Sequence, residues 1–214
     1  MEKTCILSDF DGTITQQDAL YYFFKKYAAS NWLEVEELWA EGKINSKECL
    51  IKEFDLVPNL TQRLIDKYLD TVTIDKYFKI FCDLVKKKNI DLIIVSDGID
   101  YFIEKILDNN NIRNLKIISN HGEFIDEKLQ LSFPNTDNKC LNQAGTCKCK
   151  IVKQMKEIYN EIIYIGDGIS DFCVADKADI LFAKSSLSKY CNEKGIQHIK
   201  YENFKGVIDH DMFK

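Results

Sequence analysis

The sequence predicts an α/β fold in which helices cover both faces of a Rossmann-like, mostly parallel β-sheet. Six short segments resemble strands, and most of them are continuous apolar runs without alternation, as is typical of strands buried on both sides. They lie at 4–8, 91–96, 115–119, 162–165, 180–183 and 197–201. Helical patterns at 101–107 and 151–159 separate several of these segments, and this alternation favours a parallel sheet.

A long helical region follows the first strand. No strand pattern occurs between about residues 16 and 81, where leucines and aromatic residues recur at spacings of three and four. Helices are predicted at 19–28, 33–39, 46–54 and 60–69. Thr15 with Asp18, and Asn45 with Glu48, have the spacing of a helix capping box. We therefore predict a helical-bundle cap domain at 16–81, inserted into a core domain formed by 1–15 and 82–214.

The segment 120–133 departs from the alternation of strand and helix. Its short apolar pieces are interrupted by polar residues and a glycine at 121–123 and by charged residues at 126–128. Such interruptions are typical of turns, so the segment predicts a small β-hairpin flap.

Composition and charge restrict the classes of partner. The 214 residues carry a formal net charge of -5 and contain a single basic run, at 86–88, so we expect no nucleic-acid partner. No apolar stretch reaches the roughly 18 residues of a membrane span, and the first residues do not resemble a signal peptide. We expect a cytoplasmic protein without membrane contact, with its eight cysteines reduced, acting as a monomer or homodimer.

Three of the cysteines, Cys140, Cys147 and Cys149, lie close together in a predicted loop. Their thiols could contribute to a zinc site. However, their spacing differs from the paired Cys-x-x-Cys pattern, and no histidine lies nearby to complete four ligands. Metal binding in this loop therefore stays an open alternative to a purely structural role.

Polar side chains follow three of the predicted strands at the point where each strand ends. Asp9 and Asp11 come after the first strand, Ser96 ends the second, and Asp167 follows a later one. Ligands of parallel sheets bind beyond the carboxyl ends of the strands, so we expect these side chains to converge. Carboxylates can act as nucleophile, general acid and ligands of a hard cation. The pattern predicts phosphoryl-transfer chemistry.

Four segments together resemble the motifs of phosphatases of the haloacid dehalogenase superfamily. They are Asp-Phe-Asp-Gly-Thr at 9–13, Ser96, Lys148 and Gly-Asp-Gly-x-x-Asp at 166–171. The resemblance covers essentially the whole chain and implies a Mg²⁺-dependent phosphatase that acts on a small phosphorylated metabolite. It implies that Asp9 forms an aspartyl-phosphate and that Asp11 serves first as general acid and then as general base.

The same resemblance implies a set of metal ligands. Asp9 and Asp167 would supply carboxylate oxygens to Mg²⁺ and Asp11 its backbone carbonyl, with Asp171 in support.

The resemblance also implies contacts to the substrate. Gly12 would expose its amide to the phosphate, and Ser96 and the amide of Gly98 would donate further hydrogen bonds to it. Asp18 stands where serine-phosphate phosphatases carry a substrate-binding glutamate. Its alternative role is to complete the capping box with Thr15.

Lys148 is expected to be the basic residue that the superfamily places at the start of a helix before the last acidic motif. Ile151, Val152 and Met155 follow it at spacings of three, four and seven and would share its helix face. Lys184, at the end of its own predicted strand, is the alternative.

The helical cap after the first motif resembles the subclass that includes phosphoserine phosphatase. The segments 96–100 and 181–184 and the cysteine-containing loop are similar to the methionine-salvage phosphatases, which act on 2-hydroxy-3-keto-5-methylthiopentenyl-1-phosphate. The segment 166–173 also resembles phosphocholine and phosphoethanolamine phosphatases. Ser170 stands where phosphoserine phosphatases usually have asparagine, which disfavours phosphoserine. A phosphomutase or phosphotransferase is the alternative from another class.

Overall fold

A seven-stranded sheet forms the centre of the protein in the computed structural model, which describes residues 3–137, 139–140 and 143–214. The strands are β1 (Thr4–Ser8), β2 (Asp91–Ile99), β3 (Lys116–Ile125), β4 (Lys128–Ser132), β5 (Glu161–Gly166), β6 (Ile180–Ala183) and β7 (Ile199–Lys200). They lie side by side in the order β4-β3-β2-β1-β5-β6-β7. All neighbours pair in parallel except β3 and β4, which are antiparallel. The predicted α/β class with a mostly parallel sheet is confirmed.

Helices connect the strands and flank the sheet. The described α-helices are α1 (Ala19–Tyr27), α2 (Trp32–Ala40), α3 (Ser46–Asp55), α4 (Gln62–Leu69), α5 (Phe78–Lys87), α6 (Asp100–Asn109), α7 (Lys148–Lys156), α8 (Ser185–Lys194) and α9 (Phe204–Ile208). Short 3₁₀ helices occur at Ile169–Val174 and Asp211–Phe213. The longest of these helices have ten residues, and none of them could span a bilayer.

The predicted hairpin is present, but it continues a strand instead of following one. β3 runs from Lys116 to Ile125 without a break and returns as β4. The turn residues Asp126 and Glu127 have φ angles of 47° and 62°. Two successive left-handed residues are typical of the tight turns that match the twist of paired strands.

The centre of the sheet is covered on both faces because residues of β1 and β5 alternate between two hydrophobic clusters. Ile6 and Ile163 belong to the cluster that includes buried residues of α1, α5, α6 and α9. Leu7 and Tyr164 belong to the opposite cluster, which includes buried residues of α7 and α8. This two-sided burial explains why the strands read as continuous apolar runs.

Helices α1 to α4 occupy the predicted cap region. The two segments that flank these helices in the sequence pair with each other. Thr15 bridges Ile74 in antiparallel fashion, and the Asp75 amide donates to the Ile14 carbonyl. The predicted boundary between residues 81 and 82 lies inside α5, which contacts β2 and α9. The division into core and cap stays a prediction.

One of the two predicted capping boxes is confirmed. The Asn45 side chain accepts from the Glu48 amide, and the Glu48 side chain accepts from the Asn45 amide. The box expected between Thr15 and Asp18 is wrong, because Asp18 is itself the N-cap of α1 and accepts from the Tyr21 amide. Thr15 Oγ1 instead accepts from the Gly12 amide, so it belongs to the preceding loop.

Candidate active site

The three predicted polar loops meet at the carboxyl edge of the sheet. β1 lies between β2 and β5, so Asp9 and Asp167 come from neighbouring strand ends. Ser96 was expected to end its strand but lies inside β2, three residues before its last residue. The Asp9 amide donates to the Ile165 carbonyl at 2.9 Å, which continues the pairing of β1 with β5 just beyond the strand. The convergence that parallel strands predict is therefore present.

Lys148 forms a buried ion pair with the first aspartate of the site. Its ammonium lies 2.8 Å from Asp9 Oδ1 and 2.6 Å from Asp171 Oδ1, and it also donates to Ser170 Oγ at 2.9 Å. Only 1% of the Lys148 surface is exposed. Burial lowers the pKa of this ammonium, but the charges of Asp171 and Asp9 outweigh burial and raise it. Lys148 is therefore a permanent positive charge against Asp9.

The position of Lys148 follows from the periodicity of its helix. Lys148 begins α7 and is buried with Ile151, Val152 and Met155 on one face, as predicted. Lys184, the alternative, donates to the Thr13 carbonyl at 3.3 Å and lies 5.2 Å from the Tyr201 ring centroid. In the part of the chain that the structure describes, Lys184 has no carboxylate within 4.0 Å.

Asp171 is the most completely hydrogen-bonded carboxylate of the site. Its Oδ1 accepts from Lys148 and, at 2.6 Å, from the Tyr164 hydroxyl. Its Oδ2 accepts from the backbone amides of Asp167 and Gly168 at 2.9 and 3.1 Å. Both oxygens are thus committed to holding Lys148 and the loop that carries Asp167.

Asp9, Asp167 and Asp171 form a group that suits a divalent cation. One carboxylate oxygen from each comes within 4.8 Å of the others. When ionised, the three carboxylates and the Lys148 ammonium together keep two negative charges in a buried setting, which is costly without a counter-charge. Burial raises the pKa of Asp9 well above its usual range and that of Asp167 to about 6. An oxygen-only donor set of this charge fits Mg²⁺.

Asp11 lies beside this group in a different electrostatic environment. Its Oδ1 accepts from the Ala19 amide at 2.9 Å, which places it at the start of α1. Burial, with the added charge of Asp18, raises the pKa of Asp11 to about 8. The raised pKa suits Asp11 to the role of general acid that the sequence predicts.

Gly12 allows the close approach between the first and last acidic loops. Its φ is +71°, and a Cβ at this position would lie 2.6 Å from Asp167 Oδ2. Thr13, the next residue, donates from its hydroxyl to Asp167 Oδ1 at 2.7 Å. Glycine is required here both for its left-handed backbone and for its lack of a side chain.

The two backbone amides expected to face phosphate are bonded to side chains. The Gly12 amide donates to Thr15 Oγ1 at 3.0 Å, and the Gly98 amide donates to Ser96 Oγ at 3.0 Å. A phosphate contact from either amide would have to replace these bonds and stays a prediction. Gly98 also lies against Asp11, because a Cβ there would be 2.9 Å from Asp11 Oδ2.

Asp18 is exposed to solvent at the N-terminus of α1, one residue before Ala19, whose amide binds Asp11. Its capping bond to the Tyr21 amide uses Oδ1, at 2.8 Å. The capping role is thus present, although with Asp18 as the cap residue, and a contact to substrate stays a prediction.

The loop before Lys148 is held by the cap and by β2. The Gly145 amide donates to Ser46 Oγ of α3 at 3.0 Å, and the Thr146 amide donates to Asp97 Oδ1 at 2.8 Å. A cavity of about 1360 Å³, whose lining includes Trp39, Ser46, Cys140 and Cys147, reaches Lys148 and Ser170. This cavity therefore reaches the lysine of the ion pair.

The three cysteines of this loop do not form a metal site in the described structure. Ligand atoms of Cys140, Cys147 and Cys149 do not come within 4.8 Å of one another as a group. Cys149 Sγ instead lies 3.2 Å from the Cys173 carbonyl oxygen. The open zinc alternative therefore gains no support from the geometry.

Sequence reasoning gave no role to Tyr164 or to the Thr13 hydroxyl. Both side chains are fully buried and donate to the acidic residues of the last motif. A tyrosine within the apolar run of β5 was the available signal, because a buried hydroxyl needs a hydrogen-bond partner.

Comparison with known proteins shows the family of the chain. The family model described as Putative Phosphatase matches residues 4–197. The chain belongs to this phosphatase family. It is 33% identical to the 2-hydroxy-3-keto-5-methylthiopentenyl-1-phosphate phosphatase of Geobacillus thermodenitrificans, over 98% of this chain and 96% of that protein. It is likewise 33% identical to the enzyme of the same name from Bacillus pumilus, over 95% of this chain and 89% of that protein.

Solved structures of hydrolases share this fold. A phospho-aspartyl intermediate analogue of phosphoserine phosphatase matches with a TM-score of 0.72 and 18% identity, over 97% of this chain and 98% of that chain. A HAD-family hydrolase from Salmonella enterica serovar Typhi matches with a TM-score of 0.74 and 16% identity, over 96% of this chain and 69% of that chain. The expected fold and the phosphatase class are confirmed.

Proposed function

We propose that this phosphatase hydrolyses a small phosphate monoester through an aspartyl-phosphate on Asp9. The ion pair between Asp9 and Lys148 is the observation that carries the proposal. It holds one oxygen of a buried carboxylate at 2.8 Å from a fixed positive charge, with Asp11 two residues further along the same loop. Such an arrangement orients a nucleophile and neutralises part of the negative charge that gathers around it.

In the first step a carboxylate oxygen of Asp9 bonds to phosphorus while the bond from phosphorus to the leaving oxygen breaks. Asp11 gives its proton to that leaving oxygen, and the alcohol departs. Its raised pKa, about 8, keeps the proton available at neutral pH.

In the second step a water oxygen bonds to phosphorus and the bond from phosphorus to Asp9 breaks. Asp11, now ionised, takes the proton of this water and returns to its starting form. Inorganic phosphate leaves, and both carboxyl groups are regenerated.

We infer that Asp9 and Asp167 would hold Mg²⁺ through carboxylate oxygens and Asp11 through its backbone carbonyl. When bound, Mg²⁺ supplies positive charge that offsets the repulsion between the carboxylates and the phosphate. Because both oxygens of Asp171 already accept two hydrogen bonds each, we assign Asp171 to the positioning of Lys148 and the loop at 166–168.

The proposed substrate is 2-hydroxy-3-keto-5-methylthiopentenyl-1-phosphate. The support is that relatives 30–33% identical over nearly the whole chain are named as phosphatases of this compound. The cavity that reaches Lys148 would receive the methylthio-ketose, and Asp18 would contact the polar part of the leaving group. Because all eight cysteines are free, we also infer a cytoplasmic location.

The test is a comparison of kcat/KM for the methylthio-ketose phosphate, phosphoserine, phosphocholine and phosphoethanolamine in the presence of Mg²⁺. We expect the methylthio-ketose phosphate to be preferred by at least about tenfold, which corresponds to about 1.4 kcal/mol of transition-state stabilisation. Asp9→Asn serves as the control for contaminating phosphatases. Equal or better turnover of a phosphoamine substrate would contradict the assignment.

A further inference from the structure

A second group of potential metal ligands lies in the helical cap region and shares no residue with the proposed mechanism. It consists of Glu36 on α2 and of Cys49 and Glu53 on α3. One ligand atom from each side chain lies within 4.8 Å of the other two. Cys49 and Glu53 are four residues apart and so project from the same face of α3, and α2 packs against α3.

Glu53 is buried without a partner for one of its oxygens. Its residue surface is 4% exposed, and Oε1 has no hydrogen-bond partner among the described residues. Over residues 3–137, 139–140 and 143–214, no lysine, arginine or histidine nitrogen lies within 4.0 Å of the Glu36 or Glu53 carboxylate. A buried carboxylate in this setting requires either a bound cation or a proton.

We propose that Glu36, Cys49 and Glu53 bind one Zn²⁺ ion that ties α2 to α3. The donor set of one thiolate and two carboxylates suits Zn²⁺, which accepts sulfur and oxygen ligands in tetrahedral sites. Mg²⁺ prefers oxygen alone, so the site differs chemically from the group at Asp9. Glu36 is only partly buried, which leaves a path for the ion and room for a water as the fourth ligand.

The electrostatic surroundings favour a cation over an empty acidic pair. Burial raises the pKa of Glu53 to about 9, the Glu36 carboxyl contributes through hydrogen bonding and charge, and Asp18 adds to the negative potential. Burial and nearby carboxylates, Asp97 among them, also raise the pKa of Cys49. Metal binding would release the thiol proton and the proton on Glu53 to solvent, as is general for thiolate sites.

Cobalt substitution tests the sulfur ligand directly. Metal-free protein is titrated with Co²⁺, and the near-ultraviolet charge-transfer absorption that arises only when cobalt binds a thiolate is recorded. We expect this band in the wild type and in the control Cys149→Ser, and its loss in Cys49→Ser. The oxygen-only group at Asp9 does not contribute to the band. A band that survives in Cys49→Ser, or that disappears in Cys149→Ser, would overturn the site.

Zinc affinity, measured by competition with a chromophoric chelator, tests the carboxylates. Glu36→Gln should weaken Zn²⁺ binding by more than about tenfold. Glu34→Gln, at an exposed position on the same helix, should bind Zn²⁺ like the wild type. Both glutamates lie outside the fully buried core, so these variants keep the test decisive even if Cys49→Ser does not fold. Equal affinity in Glu36→Gln, or no thiolate band in the wild type, would instead mean that Glu36 and Glu53 share a proton.

Discussion

The contact between Gly12 and Asp167 predicts a selective loss of activity in Gly12→Ala. The new Cβ would lie 2.6 Å from Asp167 Oδ2, whereas ordinary contact begins at 3.4 Å, so the carboxylate must retreat by about 0.8 Å. A displacement of about 1 Å at a catalytic group can cost about a hundredfold in rate. We therefore expect kcat/KM to fall by about that factor and the Mg²⁺ concentration needed for half-maximal activity to rise.

Gly195→Ala is the matched control for backbone strain. Gly195 has a φ of +67°, close to the +71° of Gly12, but a Cβ there meets no atom within 4 Å. Both substitutions should lower the free energy of unfolding by about 1–2 kcal/mol through the left-handed backbone alone. Urea titrations measure this loss, and steady-state kinetics measure activity. If Gly12→Ala kept the activity of Gly195→Ala, Asp167 would not be held where the mechanism requires it.

Two further predictions concern the Asp11 carboxyl and the hydrogen bond from Tyr164 to Asp171. Asp11→Asn should lower kcat/KM by about 10²–10⁴-fold, with a smaller loss on p-nitrophenyl phosphate, whose leaving group needs little protonation. In the wild type, kcat/KM should fall as pH rises through about 8, where Asp11 loses its proton; the variant should lack this limb, and an unchanged limb would refute the assignment. Tyr164→Phe should cost about 1.5–3 kcal/mol of unfolding free energy in urea titrations, because its hydroxyl donates to the charged Asp171 at 2.6 Å. Tyr201→Phe, which removes a 3.3 Å bond to a neutral carbonyl, should cost about 1 kcal/mol, and equal losses would contradict the account.

The convergence of the acidic loops was predictable because it depends only on parallel pairing. Once the apolar runs are identified as parallel strands, the residues after β1 and β5 must lie at one edge. The position of Lys148 was predictable for a similar reason, since helix periodicity fixes the face on which it lies. The fold class and the placement of Asp9, Asp167 and Lys148 therefore follow from local patterns.

Features that depend on contacts between distant segments were not predictable. The four donors to Asp171 come from α7, β5 and its own loop, and no local pattern in the sequence pairs Tyr164 with that carboxylate. The bonds from the Gly12 and Gly98 amides to nearby hydroxyls depend on loop geometry. Helix α8 was missed because its buried apolar residues, Leu187 and Cys191, are too few to mark an amphipathic pattern.

The group of Glu36, Cys49 and Glu53 was not predictable either, because it also depends on contacts between distant segments. The spacing of Cys49 and Glu53 is visible in the sequence, but Glu36 joins them only through the packing of α2 on α3. The register between two helices is set by tertiary packing, which periodicity alone does not specify.

Rapid acid quenching during a single turnover tests the covalent step on Asp9 most directly. With a substrate radiolabelled in its phosphate, we expect label on the protein within the first turnover, in the peptide that contains Asp9. The label should be released by hydroxylamine, as an acyl phosphate is, and Asp9→Asn should remain unlabelled. Release of phosphate in the first turnover without any labelled protein, or equal labelling of Asp9→Asn, would contradict the mechanism.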